Sequence, residues 1–188
     1  MEALLPAFIF ALLAEWGDKT QLLVVALAAR HGRPGPLLAG VALAALVNSL
    51  IAATGGIFVH GYITLRAISL LVALALIFAG VAGAMRRKTP AMAETLPGGA
   101  FLAGAFGFFL VEFGDKTQFV TFALAAQYDS LLLTAAGATA GVIAASAPAA
   151  LLGTELARRM PVRAIRLGAA GLFLIVGLIV AVNALRLV

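Results

Sequence analysis

The chain contains no cysteine. Disulfide frameworks and thiolate metal sites are therefore excluded. Charge is scarce as well: Asp, Glu, Lys and Arg make up 11% of the 188 residues, where a soluble domain carries about a quarter. The two histidines, His31 and His60, both fall at breaks between apolar runs, so no His-based zinc motif can be assembled. The remainder is 63% hydrophobic and rich in glycine and alanine. That is the composition of an integral membrane protein, in which small residues let helices approach closely. The net charge of +5 is not a nucleic-acid footprint, because the basic residues sit in short breaks beside apolar segments. No Lys or Arg precedes the first apolar run, and Glu15 interrupts it, so no cleavable signal peptide is expected.

Hydropathy predicts an all-α polytopic membrane protein with six transmembrane helices, over residues 4–29, 36–59, 65–85, 98–126, 131–156 and 162–185. Each is long enough for a hydrocarbon core about 30 Å thick, which needs about 20 residues. Gly, Pro and Arg punctuate the breaks, as in His31-Gly32-Arg33-Pro34-Gly35. The first, third and fifth breaks hold Arg30, Arg33, Arg86, Arg87, Lys88, Arg158, Arg159 and Arg163. The opposite side holds little more than Arg66 and Arg186, with Glu2 and Asp129. Positive loops stay cytoplasmic, so both termini are expected on the far side, which in a bacterial inner membrane is the periplasm.

A phrase occurs twice: Glu15-Trp16-Gly17-Asp18-Lys19-Thr20-Gln21 returns as Glu112-Phe113-Gly114-Asp115-Lys116-Thr117-Gln118, 97 positions later. The same offset aligns Gly40 with Gly137, Ser49 with Ser146, Arg66 with Arg163 and Gly80 with Gly177. The expected organisation is a three-helix repeat at 1–85, a cytoplasmic linker at 86–97 and a second three-helix repeat at 98–188. Three is odd, so the second half enters the membrane from the opposite side. Inverted repeats of this kind place a substrate site at mid-membrane between the halves. Packing alone would explain the matched glycines, but it gives no reason to keep Glu, Asp, Lys, Thr and Gln inside apolar runs.

Glu15 lies 11 residues beyond Leu4, about 16 Å into the membrane at a rise of about 1.5 Å per residue. Carboxylates at that depth are costly and mark function. On continuous helices, Glu15 and Asp18 share a face, as do Glu112 and Asp115, and Gln21 and Gln118 extend it. Four carboxylates and two amide carbonyls form an all-oxygen set suited to Ca2+, Mg2+ or Mn2+. With Lys19 and Lys116 the set carries two net negative charges, which one divalent cation or two protons would cancel. The glycines Gly17 and Gly114 permit either a local break or a close helix approach. Each lysine follows its glutamate by four residues and either pairs with it within the helix or swings onto a carboxylate when the cation leaves. Thr20 and Thr117 either cap carbonyls or supply an oxygen ligand. Asn48, Ser49 and Ser146 are accessory candidates that either complete the metal's coordination or make interhelical hydrogen bonds. Trp16 and Phe113 are either gates or packing, and Pro148 should bend the fifth helix.

The doubled E-x-G-D-K-T phrase closely resembles the signature of the GDT family of small membrane proteins, long described as uncharacterised protein family 0016. The pattern E-x-G-D-[KR]-[ST] fits both copies, and the resemblance covers essentially the whole chain. It implies a Ca2+/Mn2+ transporter that exchanges metal for protons, with Glu15, Asp18, Glu112 and Asp115 as the metal-binding residues. It also implies Mn2+ export for a short, bacterial-sized member. The metal is then transported substrate, and no resident cofactor, catalytic residue or homo-oligomer is indicated. Two other classes use the same acids: a divalent cation channel with a carboxylate selectivity ring, and an intramembrane metal-dependent hydrolase.

Overall fold

The computed structural model describes residues 2–86, 88–96 and 98–185, and the regular structure among them is entirely helical. Arg87 and Arg186, both counted in the charge bias, lie outside the described residues. The helices are α1 (Leu4–Glu15), α2 (Lys19–His31), α3 (Pro34–His60), α4 (Leu65–Ala84), α5 (Ala100–Glu112), α6 (Lys116–Tyr128), α7 (Leu131–Leu152), α8 (Leu156–Arg159) and α9 (Val162–Leu185). Short 3-10 turns occupy Ala91–Glu94 and Gly153–Glu155. Four helical stretches are long and apolar enough to cross a membrane: Pro34–His60, Leu65–Ala84, Leu131–Arg159 and Val162–Leu185. The chain is an integral membrane protein.

Two of the expected helices are not continuous. The stretch 4–29 is divided into α1 and α2, and 98–126 into α5 and α6. Both breaks fall inside the repeated phrase and have the same backbone course. Trp16 and Phe113 are extended, with ψ of 119° and 122°. Gly17 and Gly114 follow in the left-handed region, at φ of 71° and 75°. Asp18 and Asp115 are extended again, with ψ of 175° and 174°. Only glycine takes the middle position without strain. The glycines thus make a break rather than a close approach. Pro148 lies inside α7, which runs on to Leu152 before Gly153 turns the chain at φ 51°.

Packing relies on bare backbone. A Cβ on Gly40 would stand 2.2 Å from the Phe101 carbonyl oxygen, and one on Gly137 would stand 2.3 Å from that of Leu4. Both partners of this pair of contacts are shifted by the same 97 positions. The contact of Gly80 with Leu174 is likewise repeated by Gly177 with Ile77. Along the α4–α9 seam, Gly83 meets Ala170, Gly80 meets Leu174 and Ile77 meets Gly177. One number rises as the other falls, so these two related helices run antiparallel. Residues 88–96 fold back onto the bundle: Ala93 is buried, and Arg30 Nη1 donates to the carbonyls of Ala93 and Leu96, each at 3.1 Å.

The glycine contacts set a test. Gly137→Ala should lower stability by about 1–3 kcal/mol through overpacking, read as a lower Tm in detergent. Gly35→Ala, where nothing lies within 4 Å, should leave Tm unchanged.

Candidate cation site

The two breaks bring four half-helix ends into the interior. Glu15 and Glu112 are the last residues of α1 and α5, where unpaired carbonyls give a partial negative charge. Asp18 and Asp115 are the residues that precede α2 and α6. Each Asp N–H donates to the carbonyl of its own Glu, at 3.2 Å in the first motif and 3.0 Å in the second. This holds the acids at a fixed separation on either side of a turn, whereas a continuous helix would have set them on one face.

The glutamines hold the breaks in place. Gln21 Oε1 accepts from the Gly17 N–H at 2.8 Å, and Gln118 Oε1 accepts from the Gly114 N–H at 2.6 Å. The other end of each amide reaches the opposite half of the chain. Gln21 Nε2 donates to the Ala145 carbonyl at 2.7 Å, and Gln118 Nε2 reaches the Asn48 carbonyl at 3.4 Å and Asn48 Oδ1 at 3.5 Å. Asn48 and Ala145 are themselves equivalent positions of the repeat. In this structure the amide oxygens expected as cation ligands accept from backbone donors.

The lysines do not pair within their own helices. Lys116 Nζ lies 2.5 Å from Asp18 Oδ2 and 3.8 Å from Asp115 Oδ2, and Lys19 Nζ lies 3.3 Å from Asp115 Oδ2. Each lysine therefore has its shortest ion pair with the aspartate of the other motif, and Lys116 also lies within reach of Asp115 of its own. The break removes the helical four-residue spacing that intrahelical Glu–Lys pairing requires.

Chemically, the two halves differ. Glu15 accepts two hydroxyl hydrogen bonds of 2.5 Å, from Thr20 and from Thr117. Both threonine hydroxyls are given to Glu15 in this conformation. Glu112 is 2% exposed, and neither of its oxygens has a hydrogen-bond donor among the described residues. It faces a small void also lined by Asn48, Ser49, Thr117, Gln118 and Thr121. Asn48 and Ser49 therefore reach the site, on the Glu112 side. Ser146 is buried on α7, one residue beyond the carbonyl that holds Gln21. Thr121 was missed by sequence reasoning. Its signal is a lone hydroxyl in the apolar run that follows Gln118.

Access differs too. Lys116 has a side chain 2% exposed, against 31% for Lys19. Gly17 is buried under α9, where an added Cβ would sit 3.0 Å from Arg166 Cβ and Val162 Cγ1, but nothing lies within 4 Å of the same point on Gly114. A cavity of about 450 Å³ reaches Gly114, Asp115 and Gln118 between Ile51, Phe78 and Phe122. Trp16 is half-buried, and its counterpart Phe113 is exposed. Among the described residues, no three carboxylates or imidazoles stand close enough to hold one ion. Lysines occupy the two aspartates and threonines occupy Glu15, while Glu112 has neither.

Two broken helices whose charged ends meet in a protein interior are the plan of many membrane transporters of ions and small solutes. The family model described as "Divalent cation/proton antiporter GDT1" matches residues 3–91 and 100–187, one stretch in each half. The chain belongs to that family. It is 38% identical over 172 residues to a Vibrio cholerae protein named "Putative manganese exporter", covering 90% of this chain and 85% of that one. No solved structure matches. Family and relative are both transporters, so the hydrolase reading falls away.

The glutamine tethers can be tested directly. Gln21→Leu leaves the Gly17 N–H and the Ala145 carbonyl without partners in a buried setting, at about 1–3 kcal/mol. Gln118→Leu should cost less, because its contacts to Asn48 are long. Thermal unfolding of the two purified variants should rank them in that order.

Proposed function

We propose that the chain exports a divalent cation, Mn2+ first and Ca2+ as the alternative, in exchange for protons. On this reading it crosses a bacterial inner membrane six times as two inverted three-helix repeats, with both termini periplasmic. The broken pairs α1–α2 and α5–α6 each make one crossing, in addition to the four long helices. The antiparallel seam between the related helices α4 and α9 supports inversion, and the arginine-rich breaks support the orientation.

The observation that carries the transport reading is the crossed pairing of Lys116 with Asp18 and Lys19 with Asp115. Glu15, Asp18, Glu112 and Asp115 serve as the metal-binding acids, with the lysines holding the aspartates when no cation is present. A divalent ion must displace at least one lysine to gather carboxylate oxygens around itself. Thr20 and Thr117 release Glu15 in the same step, and Asn48 and Ser49 border the Glu112 side. Protons then discharge the site on the return stroke, because a dry pocket tolerates neither four bare carboxylates nor excess cation. Lys19, Lys116 and the threonines thus serve as placeholders for the cargo.

Reconstituted into liposomes, the protein should take up Mn2+ when a pH gradient is imposed and stop when the gradient is collapsed; gradient-independent flux would indicate a channel. Glu15→Gln and Asp115→Asn should each abolish most of that uptake, and intact flux in both would refute the assignment. Metal affinity should weaken as pH falls, because protons compete for the same oxygens. Calorimetric titration with Mn2+, Ca2+ and Mg2+ at mildly acidic and mildly alkaline pH measures both the trend and the preference.

A further inference from the structure

We propose that the corner between the end of α4 and the first turn of α9 is a binding site for a phosphate group, supplied by an acidic phospholipid headgroup. A cavity of about 440 Å³ lies there, lined by Arg86, Arg163 and Arg166 together with Gly17, Ala84 and Val162. No carboxylate is among its lining residues. Three guanidiniums therefore share one recess with no negative charge in it.

Arg33, Lys88 and Arg159 also lack a partner among the described residues, but none of them lines this recess. Several other basic residues near the chain's breaks are satisfied by the protein. Arg158 pairs with Glu155 at 2.9 Å, and Arg30 bonds two carbonyls of the 88–96 segment. Arg66, the repeat counterpart of Arg163, donates to the carbonyls of Ala184 and Leu185 at 2.8 and 3.2 Å. Arg163 and Arg86 have no hydrogen-bond or ion-pair partner among the described residues. Arg166 stands where the first half has Ser69, and it is anchored by the carbonyls of Gly83, at 2.8 Å, and Met85. The second half has thus placed a fixed guanidinium and a free one where the first half has a hydroxyl and a satisfied arginine. The positive end of the 24-residue α9 opens on the same recess. Guanidinium forks match phosphate oxygens, and basic recesses between membrane helices on the cytoplasmic side take acidic headgroups. A headgroup seated here presses against the α9 turn that covers Gly17, the break that positions Asp18.

The test uses purified protein in neutral detergent, titrated separately with phosphatidylglycerol, phosphatidylcholine and inorganic phosphate. Binding is followed by thermal shift and by native mass spectrometry. Phosphatidylglycerol should bind. Arg163→Gln should weaken it about fivefold and Arg86→Gln with Arg163→Gln about 25-fold, taking about 1 kcal/mol per arginine. The charge-matched pair Arg33→Gln with Arg159→Gln should bind as wild type. If the double variant does not fold, Arg163→Lys should fall between wild type and Arg163→Gln, since it keeps the charge and loses the fork. Arginine-dependent binding of inorganic phosphate alone would keep the site and make a soluble anion its ligand. Equal weakening by the control pair, or no arginine-dependent binding of either probe, would overturn the site. Binding is read without transport, so an absence of metal flux in the same preparation would count against the transport reading alone.

Discussion

Buried charge that cannot reach water must be cancelled where it stands. Glu15, Asp18, Glu112 and Lys116 are each no more than 2% exposed, and the desolvation of each costs several kcal/mol unless a partner of opposite sign or a hydrogen bond offsets it. For the aspartates and lysines the chain meets this demand by crossing its halves, and for Glu15 by two threonine hydroxyls. Lys116 of the second motif sits on Asp18 of the first, and Lys19 of the first sits on Asp115 of the second. The shorter pair of each lysine crosses between the halves, and Lys116 also reaches Asp115 of its own motif at 3.8 Å. The interior is therefore shared property of the two repeats.

The rest of the fold serves that meeting. The breaks at Gly17 and Gly114 turn each motif out of the helix, so that an acid stands at the end of one half-helix and another at the start of the next. Gln21 and Gln118 lock each break to the backbone of the opposite half. Glycines at the helix seams let α3 and α7 lie directly on the backbones of α5 and α1. Symmetry in the backbone then carries chemical asymmetry in the side chains: Glu15 is held by two threonines, while Glu112 has no donor and looks into a void.

Much of this was legible in the sequence. The repeated phrase picked out the buried acids, the 97-residue offset located the equivalent contacts, and hydropathy found the four long helices. What was misread follows from one assumption. Treating 4–29 and 98–126 as continuous helices placed Glu and Lys four apart on one face, in reach of pairing along the helix. The left-handed glycines cancel that spacing, and partners across the interface replace partners along the helix. A glycine in the middle of a charged phrase carried the signal, but sequence alone could not separate a break from a close approach. The preference of both threonines for Glu15 was beyond reach, because the repeat predicts equal halves and only packing decides which one takes both hydroxyls.

The α4–α9 seam has a consequence of its own. Gly80 with Leu174 and Gly177 with Ile77 are one contact made twice, with the partners exchanged. That is the geometry of an isologous surface, the kind that joins two identical subunits about a dyad. The faces that α4 and α9 turn to each other thus carry the same small-to-large fit in both directions, so a bulkier residue at either glycine would part the same two helices.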